Sequence, residues 1–278
     1  MTMEAVSYTA QWTAAARAVE TERGDERLVH DEYARSLAEP HGFELLDKYG
    51  GAGLKEFVAI RTKYLDDSIT TILDTTDIKQ VVLVAAGMDT RSFRLKWPDG
   101  VVVYEVDHAA LHDEKQQRLD RLGAVPAVER RPTRADLASD WLPALQQAGF
   151  DPAAPALWVP EAVFFFLTED QAAQLLETLA QASAPGSWLA TDILSKRLLR
   201  SPSTWLFLAA LRKDGIPWLF GTDHPAWFLA QHGWELRELH EPGEPGAGEG
   251  RWPYQTHPRS VRGVSRNWLI RAEVLPPG

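Results

Sequence analysis

At 278 residues the chain is near the upper size for one hydrophobic core, and its 45% hydrophobic and 24% charged residues exclude a disordered or fibrous protein. A net charge of −10 opposes nucleic acid and anionic lipid as partners. The absence of cysteine removes disulfides, thiolate metal sites and a cysteine nucleophile together, and it fits a cytoplasmic location.

In chain order, the start MTMEAVSYTA carries Glu4 and no apolar run, so no secretory signal is expected. The region over about 1–76 reads as helical: VHDEYARSLAE (29–39) and LKEFVAIRTKYLDDSITTIL (54–73) both space apolar residues by three and four. The period then changes. VVLVAA (81–86) and VVVYEVD (101–107) are continuous apolar runs of the kind buried on both faces of a parallel sheet. A helix over 110–122, a helix near 138–148, a strand ALWVPEAVFFFL (156–167), a helix over 169–182 and a strand SWLATDIL (187–194) follow. The apolar stretch 156–167 is broken by Pro160 and Glu161 and is too short to cross a bilayer. Strand alternating with helix over about 77–194 predicts βαβ units. Segment 195–232, rich in Trp and Phe, reads as an inserted helical cap. GWELREL (233–239) and NWLIRAEV (267–274) read as an antiparallel pair, joined through EPGEPGAGEG (241–250), whose Gly and Pro content predicts a flexible loop. The fold class predicted is a single α/β domain with a doubly wound, mostly parallel sheet, N-terminal helices, a cap and an antiparallel C-terminal hairpin.

The stretch VVLVAAGMDTRSFRL (81–95) carries the chemistry. A buried strand runs into Gly87, where a ligand can approach the backbone closely. Asp107 ends the next strand, 20 residues after Gly87, the distance at which an acidic residue holds a ribose diol in such folds. A dinucleotide site wants two further glycines, and here Ala85 and Thr90 stand in those places, with Asp89 where a pyrophosphate would lie. A nucleoside ligand with positive charge and no phosphate, S-adenosylmethionine, suits these residues better than NAD.

AAGMDTRSFRL followed by YEVDHAALHDEKQQRL resembles the leucine carboxyl methyltransferase family, a branch of the class I S-adenosylmethionine-dependent methyltransferases. DEYARSL (31–37), RTKYLDD (61–67), RADL (134–137), PEAVFFFLTEDQ (160–171) and FLAQHGWEL (228–236) are similar to family segments in family order, so the likeness covers most of the chain. Ala85 departs from the glycine common there. The resemblance implies that Arg61 binds the donor's carboxylate, Gly87 lies beneath its methionine part and Asp107 holds its ribose. It also implies that Asp136 and Leu137 frame the adenine and that Glu161 lies near the ammonium. Bacterial members include enzymes that methylate oxygens of aromatic polyketides, and the eukaryotic archetype methylates a protein C-terminus.

Methyl transfer needs chiefly alignment of acceptor, methyl and sulfur, so no nucleophilic residue is required. The expected activity is O-methylation of a carboxyl or hydroxyl group on a small aromatic molecule, with the apolar cap lining the acceptor site. A homo-oligomer is compatible with the sequence. A carboxylate is already ionised at neutral pH, whereas a phenol needs a base, for which His224 beside Asp223 is the candidate in the cap. His108 and His112 have the spacing of a metal pair but no evident third ligand, and they read as solvated helix residues. The rival readings are an NAD-dependent oxidoreductase, a protein C-terminal carboxyl methyltransferase and a fold that binds the donor without transferring methyl.

Overall fold

The computed structural model describes residues 3–51 and 53–276. Three helices precede the sheet: α1 (Met3–Thr21), α2 (Ala34–Tyr49) and α3 (Leu54–Thr75). α2 is kinked where Glu39 takes a positive φ of 52° ahead of Pro40, which cannot donate to the preceding turn. It starts at Ala34, later than the pattern over 29–39 predicts, because Asp31 is drawn instead into a buried ion pair with Arg17.

The sheet holds seven strands in the order β3-β2-β1-β4-β5-β7-β6. They are β1 (Gln80–Val84), β2 (Val102–Asp107), β3 (Glu129–Arg134), β4 (Ala156–Pro160), β5 (Trp188–Leu194), β6 (Trp234–His240) and β7 (Asn267–Val274). β1 to β5 run parallel, and β7 pairs antiparallel with both β5 and β6, as the two C-terminal apolar runs predict. The helices are α4 (Arg91–Arg94), α5 (Ala109–Arg121), α6 (Leu142–Gln147), α7 (Glu169–Gln181), α8 (Trp205–Lys213) and α9 (Pro225–Gln231).

The alternation of side chains along β1 explains why a continuous apolar run is required there. Val81 and Leu83 enter a core formed with Phe57, Ile60 and Leu65 of α3 and Leu111 of α5. Val82 and Val84 enter a second core, on the opposite side, with Leu145 of α6 and Leu175 and Leu176 of α7.

Two predicted elements are corrected, and one strand is added. β4 stops at Pro160 rather than running to 167: Ala162 adopts φ +58° and Phe164–Phe166 form a 3-10 turn. Glu161 therefore leaves the strand and stands at the mouth of the sheet. β3, ERRPTR, has no apolar signature and was not predicted; it is an edge strand, where polar residues and Pro132 are tolerated. Segment 241–250 is a series of turns pinned to the body rather than a free loop. Ala247 is buried in the core, Glu241 pairs with Arg266, and Arg251 just beyond pairs with Glu20.

Candidate active site

A cavity of about 1060 Å³ opens at the C-terminal ends of β1, β2, β3 and β4. β1 lies at its centre, where the strand order turns from β2 on one side to β4 on the other, the position at which open parallel sheets take ligands. Arg61, Gly87, Asp107, Asp136, Leu137 and Glu161 all line this one cavity. The helix α1 adds Trp12 and Arg17, and α3 adds Phe57.

The turn after β1 is held by backbone geometry. Ala85 has φ +56° and Gly87 has φ +49°, the left-handed region that a side chain disfavours. A glycine would take the conformation of Ala85 without cost, and the alanine here carries some strain. At Gly87 an added Cβ would sit 3.1 Å from the Cβ of Ala10, so α1 packs directly on the motif. The Asp107 carboxylate caps the same turn. Its Oδ2 accepts from the Gly87 N–H at 2.7 Å and its Oδ1 from the His108 N–H at 2.7 Å.

From the wall of the cavity inward runs a contiguous, largely buried ion network. Arg61 donates through Nε to Glu161 Oε1 at 2.9 Å and through its terminal nitrogen to Asp192 Oδ2 at 3.3 Å. Arg91 donates to Glu161 Oε2 at 2.7 Å, to Asp66 Oδ1 at 2.7 Å, and to Asp89. Arg94 also meets Asp66 and reaches Thr90 Oγ1, which donates to Asp31; Arg17 pairs with Asp31 and donates to the Met88 carbonyl at 2.6 Å. Four guanidiniums (Arg17, Arg61, Arg91, Arg94) thus face five carboxyl groups (Asp31, Asp66, Asp89, Glu161, Asp192). With all ionised, one negative charge is in excess.

Burial would raise the pKa of Glu161, but the Arg91 and Arg61 guanidiniums outweigh it and hold the carboxyl down to about 2. Asp192 goes the other way. Burial and the nearby Glu161 charge push it up to about 6 against the pull of Arg61 and the Ala162 N–H. For Arg61 and Arg91, burial works against the charge, yet the carboxylates around them raise both above the ordinary arginine value.

Sequence reasoning singled out the cavity edge and missed most of this network. Arg17, Asp31, Asp66, Arg91 and Asp192 lie far apart in the chain, and only Arg91 stands inside the quoted motif. Asp89 is matched by Arg91, so its charge by itself does not set the polarity of the site; the network as a whole does. His112 is buried, its Nε2 3.3 Å from the Thr133 carbonyl oxygen, and is not the solvated residue expected. His108 lines the cavity, 4.0 Å from Asp136. No group of three or more metal-ligating side chains occurs among the described residues.

The cap needs the largest correction. Among its described ring residues only Trp218 lines the cavity. Trp205 and Trp227 are exposed, while Phe220 and Phe228 pack into the core with α7 and β6. His224 is exposed at the N-terminus of α9 and does not line the cavity, because α9 is turned toward β6. The aromatic wall comes instead mainly from α1, α3 and the turn after β4, with Trp218 the cap's contribution. Phe165 lies 5.0 Å from Trp218 and 6.5 Å from Phe57, ring centre to ring centre, and Trp12 closes the side formed by α1.

The leucine carboxyl methyltransferase family model matches residues 10–180. A protein of Mycolicibacterium paratuberculosis, whose name places it among S-adenosyl-L-methionine-dependent methyltransferases, is 35% identical over 268 residues, covering 84% of this chain and 85% of its own. A crystal structure of a DUF574 family protein from Streptomyces avermitilis has the same fold, with a TM-score of 0.65 at 14% identity over 96% of this chain and 97% of that one. The magnesium protoporphyrin IX methyltransferase of Synechocystis, solved with bound SAH, gives a TM-score of 0.50 at 14% identity over 84% of this chain and 95% of its own. Together with the sheet order and the cavity at its centre, these matches show that the chain belongs to the leucine carboxyl methyltransferase family.

Proposed function

We propose that this S-adenosylmethionine-dependent methyltransferase transfers methyl to an oxygen of a small aromatic molecule, with a carboxylate as the favoured acceptor group. The observation that carries the reading is that one cavity brings together charged groups, Asp107, Arg61 and Glu161, and aromatic rings, Trp12, Phe57, Phe165 and Trp218.

The residues present fit the donor. An ionised carboxylate has about four acceptor positions. Asp107 uses two on backbone N–H groups, which leaves one on each oxygen for the two hydroxyls of a ribose. Leu137, Trp141 and Val163 offer an apolar slot for the adenine, with Asp136 at its rim to accept from the exocyclic amine. The donor carries a sulfonium and an ammonium against one carboxylate, and the network has one negative charge in excess. Glu161 faces the ammonium and Arg61 the carboxylate.

When bound, the donor supplies a methyl group on a sulfonium, an excellent leaving group. The chain's own residues hold the donor by both ends, orient the acceptor against aromatic rings and exclude water. Such positioning is worth roughly 7–11 kcal/mol without a nucleophilic side chain. His224 has no part in it.

The test is a mass-shift screen of aromatic carboxylic acids and phenols with S-adenosylmethionine, reading methyl esters, methyl ethers and demethylated donor. Methyl esters of aromatic acids are the expected products. Methylation confined to peptide C-termini, or donor binding without any turnover, would overturn the reading.

A further inference from the structure

We propose that Asp192 is a positioning residue for the donor site: its buried carboxylate fixes both the Arg61 guanidinium and the left-handed turn that presents Glu161 to the cavity. This rests on the donor-binding role of Arg61 and Glu161 given above. Asp192 lies on β5, is fully buried and does not line the cavity. Its two oxygens go to two different pieces of the wall. Oδ1 accepts from the Ala162 N–H at 2.7 Å, and Oδ2 accepts from Arg61 at 3.3 Å.

Both pieces need such a hold. Ala162 is a non-glycine residue at φ +58°, a conformation that persists only when its surroundings enforce it. The Asp192 bond to its N–H keeps the chain turned directly after Glu161. Arg61 stands between Glu161 and Asp192, with Phe57 5.3 Å from its guanidinium carbon. With carboxylates on two sides the guanidinium has one preferred plane. With Glu161 alone it would fold onto that carboxylate, drawing both groups out of register with the amino-acid part of the donor.

The charge on Asp192 is itself sensitive to pH. Burial and the repulsion of Glu161 push its pKa up to about 6. Charged groups facing it are Arg61 from α3 and Glu161 after β4, while β7 places Leu269 opposite. Above about pH 6 the carboxylate is charged and anchors Arg61. Below it the anchor weakens, and the excess negative charge that complements the cationic donor is lost.

The experiment is calorimetric titration of wild type and Asp192→Asn with S-adenosylmethionine and, separately, with adenosine, which lacks the amino-acid part, from pH 7 to pH 5. In wild type, donor affinity should fall about tenfold over this range while adenosine affinity stays level. At pH 7, Asp192→Asn should bind the donor about tenfold more weakly than wild type, bind adenosine as wild type does, and show no pH dependence. His108 also lines the cavity; His108→Gln should keep the wild-type fall. Loss of the fall in His108→Gln, equal loss of donor and adenosine in Asp192→Asn, or a level wild-type profile would each overturn the proposal. The wild-type profile stands as a test even where the variant does not fold. A wild type that binds neither ligand would overturn the donor-site reading itself.

Discussion

Removal of the Asp107 carboxylate has a magnitude that follows from its bonding. The two oxygens hold the Gly87 and His108 N–H groups at 2.7 Å each, and the remaining acceptor position on each is assigned above to a ribose hydroxyl. Asp107→Ala therefore removes two charge-assisted contacts to the ligand. The expected net loss of donor affinity is roughly 1.5–3 kcal/mol, or roughly 10- to 150-fold in Kd. It also leaves two backbone N–H groups without their partner, so a lower Tm is expected even though the residue lies at the rim of the sheet. Affinity alone would not separate these effects, but a pair of ligands does. Wild type should prefer adenosine to 2′,3′-dideoxyadenosine by about the same factor that the substitution costs, and in Asp107→Ala that preference should vanish. Calorimetry with both nucleosides on a variant shown to be folded by circular dichroism makes the comparison. A preserved preference for the diol in folded Asp107→Ala would refute the assignment and place the ribose elsewhere.

Glu161, held down from 4.5 to about 2, contributes stability that is present above pH 4.5 and is lost as the pH falls toward 2; the size is about 3 kcal/mol near neutral pH. Glu161→Gln should therefore lower the urea midpoint at pH 7, with part of the loss returned by relief of its repulsion on Asp192. The gap to wild type should narrow between pH 5 and pH 3, and a gap that widens there would contradict the sign. Gly87→Ala combines a strained φ with a Cβ 3.1 Å from Ala10, so α1 must shift off the motif; weakened donor binding with a lower Tm is expected, and a variant identical to wild type in both would disprove close packing there. His224→Gln should keep kcat/KM for any acceptor found and leave its pH profile unchanged, since the residue is exposed and off the cavity. A large loss of rate in that variant would restore it as a base.

The sequence by itself determined the sheet and the edge of the site. β1, β2 and β5 read correctly because strands buried on both faces must be continuously apolar, and the C-terminal pair read as antiparallel because no helical pattern lies between β6 and β7. Gly87 and Asp107 were legible because their spacing is set locally, by one strand, one turn and one crossover. Only the tertiary structure decided the rest. β3 escaped because an edge strand is free to be polar, and the end of β4 escaped because FFF after Pro160 is as apolar as a strand. The ion network brings Arg17, Arg61, Arg91 and Asp192 together from α1, α3, α4 and β5, and no local pattern marks a charged residue whose partner lies 100 or 131 positions away. The same limit misdirected the cap: a run of Trp and Phe records that rings will be covered, but whether by core, by cavity wall or by neither depends on which way α8 and α9 face. Burial and pairing are properties of the folded neighbourhood, and in this protein they decide which side chains meet the ligand.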